Sequence, residues 1–459
     1  MKNSTFFAVL LPALLFTACN GSQPTGNLMG ENTKALWYLQ GDASINDNLL
    51  ILGEGASALL TKASYDNFEL TLTARLGDTS NGFVAFHTDK EMTKGYKVAL
   101  DNDLNDLEWW TKTGSLLGVR NLTKSVVKNN EWFCLTLRVE GKAITILLND
   151  APVVEYIEPD APYRTAEHAA QRLSEGTFAL VSNMGTIEIS DCVVTPLEGP
   201  ADPSAQQNMA IDEHNDHIIR LHQENFPVLD YHVHLKGITA KQAAAQSRRY
   251  GINYALAPNC GIGFPVTSDE EVVAYLREME GEPFIQAMQG EGREWPVTFS
   301  KEVRDRFDYV FTDALTFTDR KGRRTRLWIP EEVFIEDEEQ YMDLIVEKIV
   351  EVLQEPMDVY VNPNFLPEVM NDRYDAFWTE ERMEMVITAL LETGKALEIN
   401  HRYRIPNKAF IQKAKDAGLK FTFGTNNADG DFGKMEYCIE MKEACGITAA
   451  DMYKPNIQQ

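Results

Sequence analysis

Two periodicities divide the chain. Over residues 37–194, apolar and polar positions alternate in short runs, as in Phe68-Glu69-Leu70-Thr71-Leu72-Thr73-Ala74 and again in 133–139, 143–148 and 177–181. A period of two places every second side chain on one face of a strand. Leu76-Gly77-Asp78, Glu140-Gly141-Lys142 and Asn149-Asp150 interrupt the runs as turn signals. Short strands without intervening helices predict an antiparallel β-sandwich of jelly-roll type over residues 34–198.

Residues 199–224 shift to Pro, Ala, Asp, Asn and His, which predicts a linker followed by a short helix at 211–222. Beyond them, apolar runs end in polar residues and alternate with helical spacing. The runs are 227–234, 254–260, 284–291, 309–313, 359–362, 396–400 and 420–426, and the predicted helices are 269–279, 338–353, 380–393 and 407–417. Strand and helix alternation builds a parallel sheet, and this many units predict a closed or nearly closed α/β, TIM-like barrel over residues 225–459, of the distorted kind that the resemblance given below implies. Barrels of this kind place their chemistry at the C-terminal strand ends.

Those ends carry the candidate chemistry. Asp230-Tyr231-His232-Val233-His234 puts two imidazoles on one side of a strand, a suitable start for a divalent-metal site (Zn, Mn or similar). Glu291 is the expected third ligand, and Asp313 or Glu398 a fourth ligand or a catalytic base. Asn426 joins the expected metal set, and Arg293 the catalytic one. Asn259, Asn362, Asn364, Asn400, Arg402 and Asn427 are candidates for hydrogen-bonding a polyhydroxylated ligand, and either arginine suits a carboxylate or phosphate. In the first domain Trp109 and Trp110 follow the acidic loop Asp101, Asp103, Asp106, Glu108 and form a candidate sugar platform, with a core role as the alternative. His87, alone on a strand, reads as structural.

Composition narrows the partners. The 459 residues hold 69 Asp+Glu against 43 Lys+Arg, a net charge of -26 that repels phosphate backbones and excludes nucleic acid as an expected partner. Residues 1–18 read as an export signal with a short apolar core, and 19–33 as a polar tether. Leu15-Phe16-Thr17-Ala18-Cys19 resembles a bacterial lipobox, which implies a lipid on Cys19 and a cell-envelope location with membrane contact through that anchor alone. Five further cysteines cannot all pair; Cys134 and Cys192 are the candidate bridge.

The first domain resembles the 3-keto-disaccharide hydrolase family of concanavalin-like jelly rolls, on Ser64-Tyr65-Asp66-Asn67-Phe68-Glu69-Leu70, Asn81-Gly82-Phe83, Gly95-Tyr96-Lys97-Val98, Asn130-Glu131-Trp132-Phe133 and Gly185-Thr186-Ile187-Glu188-Ile189. It departs at His87, where the family has Arg, and at Lys97, where it has Glu. The resemblance implies chemistry in which a C3 ketone acidifies the C2 proton, a base removes it, and the glycosidic bond breaks by elimination before hydration.

The second domain, through Asp-x-His-x-His, Gly290-Glu291, Leu397-Glu398-Ile399-Asn400 and Phe423-Gly424-Thr425-Asn426-Asn427, resembles the polymerase and histidinol phosphatase (PHP) superfamily of seven-stranded metal-dependent phosphoesterases. Pro258-Asn259-Cys260 and Asn362-Pro363 stand where that family keeps further ligands. Three expectations follow: a lipid-anchored carbohydrate-processing hydrolase or lyase with a metal-assisted barrel site, a metal-dependent phosphoesterase, or a glycan-binding lipoprotein without turnover.

Overall fold

The computed structural model describes residues 26–29, 33–46, 49–53, 57–202 and 216–458. The expected signal peptide, Cys19 and most of the tether lie outside the described residues, as does the linker from 203 to 215. Among the described residues no helix is long and apolar enough to cross a membrane.

Two antiparallel sheets form the N-terminal domain. The first runs Ala151–Ile157, Ala143–Leu148, Phe133–Glu140, Phe68–Leu76, Ile187–Pro196, Leu49–Leu52, Ala43–Asn46, with Gly26–Asn27 against Ile187–Pro196. The second runs Trp37–Gln40, Ser57–Thr61, Thr177–Met184, Asn81–Thr88, Tyr96–Asp101. Phe68–Leu76 alternates buried and half-buried positions along its whole length, as the sequence pattern requires. The Asn149-Asp150 turn takes positive φ at both residues, the conformation that closes a two-residue hairpin.

Cys134 and Cys192 are both free. Their strands flank Phe68–Leu76 on opposite sides, and Cys192 points into the core while Cys134 is half-buried on the other face, so the candidate bridge is ruled out by the pleat.

Seven parallel strands follow in sequential order: Leu229–Val233, Asn253–Leu256, Ile285–Gly290, Tyr309–Thr312, Val359–Tyr360, Ala396–Asn400 and Phe421–Gly424, with Asn259–Cys260 extending the second. The first and last strands meet through Asn426 N–H to His232 O at 2.9 Å and Thr425 N–H to Asp230 Oδ1 at 2.9 Å, which leaves the barrel nearly closed. The helices fall close to expectation at Asp269–Glu278, Glu338–Val352, Glu380–Thr393 and Lys408–Asp416. Ala240–Tyr250, Glu436–Cys445 and the hairpin Thr316–Thr318 with Arg324–Arg326 were not legible in the pattern.

The sandwich docks on the N-terminal end of this barrel. Its irregular segment between Asp101 and Phe133 supplies the contact: Asn121 O accepts from Asn253 Nδ2 at 2.9 Å, Arg120 donates to Ser247 Oγ at 2.9 Å, and Lys124 faces Asp308 at 3.7 Å. Asn253 opens the second barrel strand and Asp308 directly precedes the fourth. The barrel's C-terminal mouth is therefore on the side away from this docking surface.

Candidate functional site

At that mouth the polar strand ends converge as the sequence predicts, but they mainly hydrogen-bond one another. His232 Nδ1 lies 2.6 Å from Glu398 Oε1. The other carboxyl oxygen, Oε2, accepts from the Asn362 backbone N–H at 2.7 Å and from Asn400 Nδ2 at 2.9 Å. A carboxylate on Nδ1 fixes the ring's orientation and turns Nε2 away from Glu398; that atom is buried and has no hydrogen-bond partner. The close approach of strands one, six and seven here depends on Gly424: a Cβ at that position would meet Glu398 Oε1 at 2.2 Å and His232 Cβ at 2.8 Å.

Asn362 is the hub. Its Nδ2 donates to Asp313 Oδ2 at 2.9 Å, and its Oδ1 accepts from Asn400 at 3.0 Å and Asn426 at 2.7 Å. Asn362, Asn364 and Asn426 all take left-handed φ, near 47°, 62° and 50°, a region that asparagine tolerates better than other residues with side chains. Asn427 clamps His234 by accepting its backbone N–H at 2.8 Å and donating to its carbonyl at 2.8 Å.

Two carboxyls end adjacent strands three and four beside this web. Glu291 Oε1 accepts from Asn259 Nδ2 at 2.6 Å; Asp313 accepts from Asn362 and, at 3.0 Å, from the Leu315 backbone N–H. Burial, reinforced by the charge of Asp313, pushes the Glu291 carboxyl up to about 8. Burial also raises Asp313, against the pull of its hydrogen bonds from Asn362 and Leu315. Two like charges in one poorly solvated mouth disfavour double ionisation. Burial thus raises both carboxyls, and the pair favours a state in which one of the two keeps its proton.

Arg293 is committed to structure, donating to Glu355 Oε1 at 3.0 Å, Thr312 Oγ1 at 3.2 Å and the Asp313 carbonyl at 2.8 Å, so the expected direct catalytic role gives way to a brace behind the pair. Arg402 is exposed at the rim, 3.4 Å from Asn426 O, and opens onto a cleft of about 630 Å³ that includes Phe365, Tyr403 and the exposed Trp328. Trp328 carries no motif in the sequence; only the fold shows that this indole, like Trp132 of the first domain, is open.

The expected metal set does not assemble. His234 Nδ1 bonds the Ala257 carbonyl at 2.7 Å, so both histidines present Nε2, yet among the described residues no group of three or more His, Cys, Asp or Glu side chains could hold a metal ion. Glu291 is held by Asn259, and Asn426 is turned onto Asn362. The donors do not fit a metal centre, and the PHP resemblance is not supported beyond a TIM-like barrel; asparagines fill the positions where charged ligands would stand.

The first domain gives a second correction. Trp109 and Trp110 are 3% and 6% exposed and belong to the barrel's apolar cluster, with Trp110 Nε1 donating to Asn225 Oδ1 at 2.9 Å. Neither of these two indoles leaves a face for a sugar. His87 is buried with both ring nitrogens used, on Asp66 O at 2.8 Å and Ser174 N–H at 3.2 Å, the structural role expected of it. Lys97 Nζ lies over the Phe83 ring at 4.7 Å.

A comparison with curated proteins finds no match. Among solved structures, a candidate glycosyl hydrolase from Parabacteroides distasonis is 21% identical, with a TM-score of 0.32, over 37% of this chain and 98% of its own. A carbohydrate-binding module from Bacillus subtilis is 18% identical, with a TM-score of 0.27, over 36% of this chain and 96% of its own. Residues 19–194 match the model of the 3-keto-alpha-glucoside-1,2-lyase-like domain, so the N-terminal part of the chain carries a carbohydrate-related, glycosyl-hydrolase-like domain.

Proposed function

We propose that the protein is a carbohydrate-processing hydrolase or lyase acting on 3-keto-glycosides, with its acid–base chemistry at the barrel mouth and its glycosyl-hydrolase-like domain as a second, structural or glycan-binding module. The observation that carries this reading is the carboxyl pair: Glu291 and Asp313 end neighbouring strands in one buried mouth, each oriented by an asparagine. Two buried acids that disfavour ionising together supply an acid and a base at the same pH. The match of residues 19–194 supports the substrate class. The positions where the family resemblance would put catalysis in the sandwich hold a fully bonded His87 and Lys97, which lies over the Phe83 ring.

In this account Asp313 takes the proton from C2 of the 3-keto sugar. The electron pair forms the C1–C2 double bond, the C1–O bond breaks, and Glu291 delivers its proton to the departing oxygen. Water then adds across the double bond in the hydrolytic case. Glu291 acts as acid only while protonated, so turnover falls as pH rises through about 8. The same reading keeps the protein at the cell envelope, held by a lipid on Cys19.

The test is product analysis by mass spectrometry on the purified protein with a 3-keto-disaccharide and its unoxidised parent. Consumption of the keto form with release of a free monosaccharide is the expected result. Saturable binding with neither sugar consumed would replace the enzyme by a glycan-binding protein.

A further inference from the structure

Away from the barrel mouth, a cavity of about 410 Å³ lies in the seam between sandwich and barrel, at the N-terminal end of the barrel strands. Domain seams are a common place for small-molecule sites. The sandwich contributes the wall from Thr123 to Lys128, which Asn102 steadies by donating from Nδ2 to the Val127 carbonyl at 3.1 Å. The barrel contributes Arg277 and Met279 from the end of helix Asp269–Glu278, Gln286 from the third strand, and Arg306.

Three features of this cavity point to one ligand chemistry. Lys128, Arg277 and Arg306 are exposed in its wall, and none of the three makes an ion pair among the described residues. The acids in the wall are Glu280 and Glu282, so the lining is cationic on a chain whose net charge is -26. Secondly, two polar atoms in the wall are buried without partners: Thr123 Oγ1 and Gln286 Oε1, on residues more than nine-tenths buried. The Gln286 amide uses Nε2 on the Phe284 carbonyl at 3.3 Å, which leaves its oxygen as the acceptor in want of a donor. Buried polar atoms are seldom left unpaired in a finished structure. Thirdly, Val126, Leu276 and Met279 give the same cavity an apolar side.

We propose that this seam is a second ligand site, for a single sugar ring that carries a carboxylate or sulfate. The arginines and Lys128 take the anion, hydroxyls of the ring pair with Gln286 and Thr123, and its C–H face lies on the apolar side. The site is separate from the barrel mouth and needs both domains, so occupancy clamps the sandwich to the barrel. It does not depend on the reaction assigned to the mouth.

Calorimetric titration of the full chain with glucuronate, glucose 6-sulfate, glucose and inorganic sulfate tests the assignment. The two anionic sugars bind, each at least tenfold more tightly than glucose or sulfate, and added salt weakens them because part of the attraction is between exposed charges. Arg277→Ala with Arg306→Ala, both on exposed side chains, lowers that affinity at least tenfold. Thr123→Val, which removes an oxygen that has no partner, lowers the affinity for the sugars several-fold and leaves sulfate unchanged. Thermal melts of the variants at the wild-type temperature establish that the fold is kept. Equal affinity for sulfate and the anionic sugars, no binding at millimolar concentration, or binding indifferent to the double substitution overturns the site.

Discussion

The two ends of the barrel use the same residue types to opposite effect. At the N-terminal end His222 is fully buried and both ring nitrogens are used: Nδ1 accepts from the Asn121 backbone N–H at 3.3 Å and Nε2 donates to the Gly251 carbonyl at 2.8 Å. At the C-terminal end His232 is equally buried, yet its Nε2 has no partner. Asparagines follow the same division. Asn121 and Asn253 tie the sandwich to the barrel, whereas Asn362, Asn400 and Asn426 bond one another around Glu398 and Asp313. Burial alone therefore does not distinguish the two ends. Left-handed backbone at three asparagines and a carboxyl that burial pushes up to about 8 set the mouth apart, whereas unpartnered buried polar atoms occur at both ends.

The largest effect that would break this contrast is at the mouth. Asp313→Asn keeps the hydrogen bond to Asn362 within reach but removes the base, and turnover of a 3-keto-disaccharide is expected to fall roughly 10²–10⁴-fold, measured by initial rates. A loss below threefold would move the base elsewhere.

At the opposite end Trp110→Ala removes an indole packed between the domains and leaves Asn225 without its donor. The expected cost is about 3–5 kcal/mol of stability, read from chemical denaturation, with the turnover of the folded fraction close to wild type.

The next effect is a pH dependence. Burial and the Arg120 charge lower the His222 pKa from 6.5 to about 3, so the unfolded chain binds a proton that the folded chain refuses. Stability is full above pH 6.5 and declines as pH falls toward 3; at pH 5 the loss from this group is about 2 kcal/mol. Melting curves of His222→Gln and wild type should converge as pH is lowered from 7 to 5. Parallel curves would show that His222 is not held neutral.

The smallest effect sharpens the contrast on the mouth side. Thr239 caps helix Ala240–Tyr250 with Gln242 in a reciprocal pair, just beyond the first barrel strand. Thr239→Ala is expected to cost about 1 kcal/mol, seen as a shifted denaturation midpoint, without altering the domain seam.

Legibility followed the same physics. Helix Glu380–Thr393 could be read because a capping Thr379, a regular apolar face and a left-handed Gly394 agree. Helix Ala240–Tyr250 could not, since it buries only Ala243, Ala244 and Ser247 and shows no large apolar stripe. Thr316–Thr318 and Arg324–Arg326 are too short and polar to register as strands. At the site, Glu291, Asp313, His232 and Glu398 were legible because acids and imidazoles end apolar runs. Asn362, Asn400 and Asn426 were legible as polar strand-end residues too, but not their bonding to one another, which depends on side-chain directions that only the fold sets. Trp109 and Trp110 misled because the surface that buries them belongs to the other domain.

In the proposed function, chemistry resides at the barrel mouth and not in the sandwich. Initial rates on one 3-keto-disaccharide, compared between Glu291→Gln and Lys97→Ala, test it most directly. At least a hundredfold loss is expected for Glu291→Gln and a rate within a few-fold of wild type for Lys97→Ala. Full activity in Glu291→Gln with collapse in Lys97→Ala would contradict it and return catalysis to the sandwich.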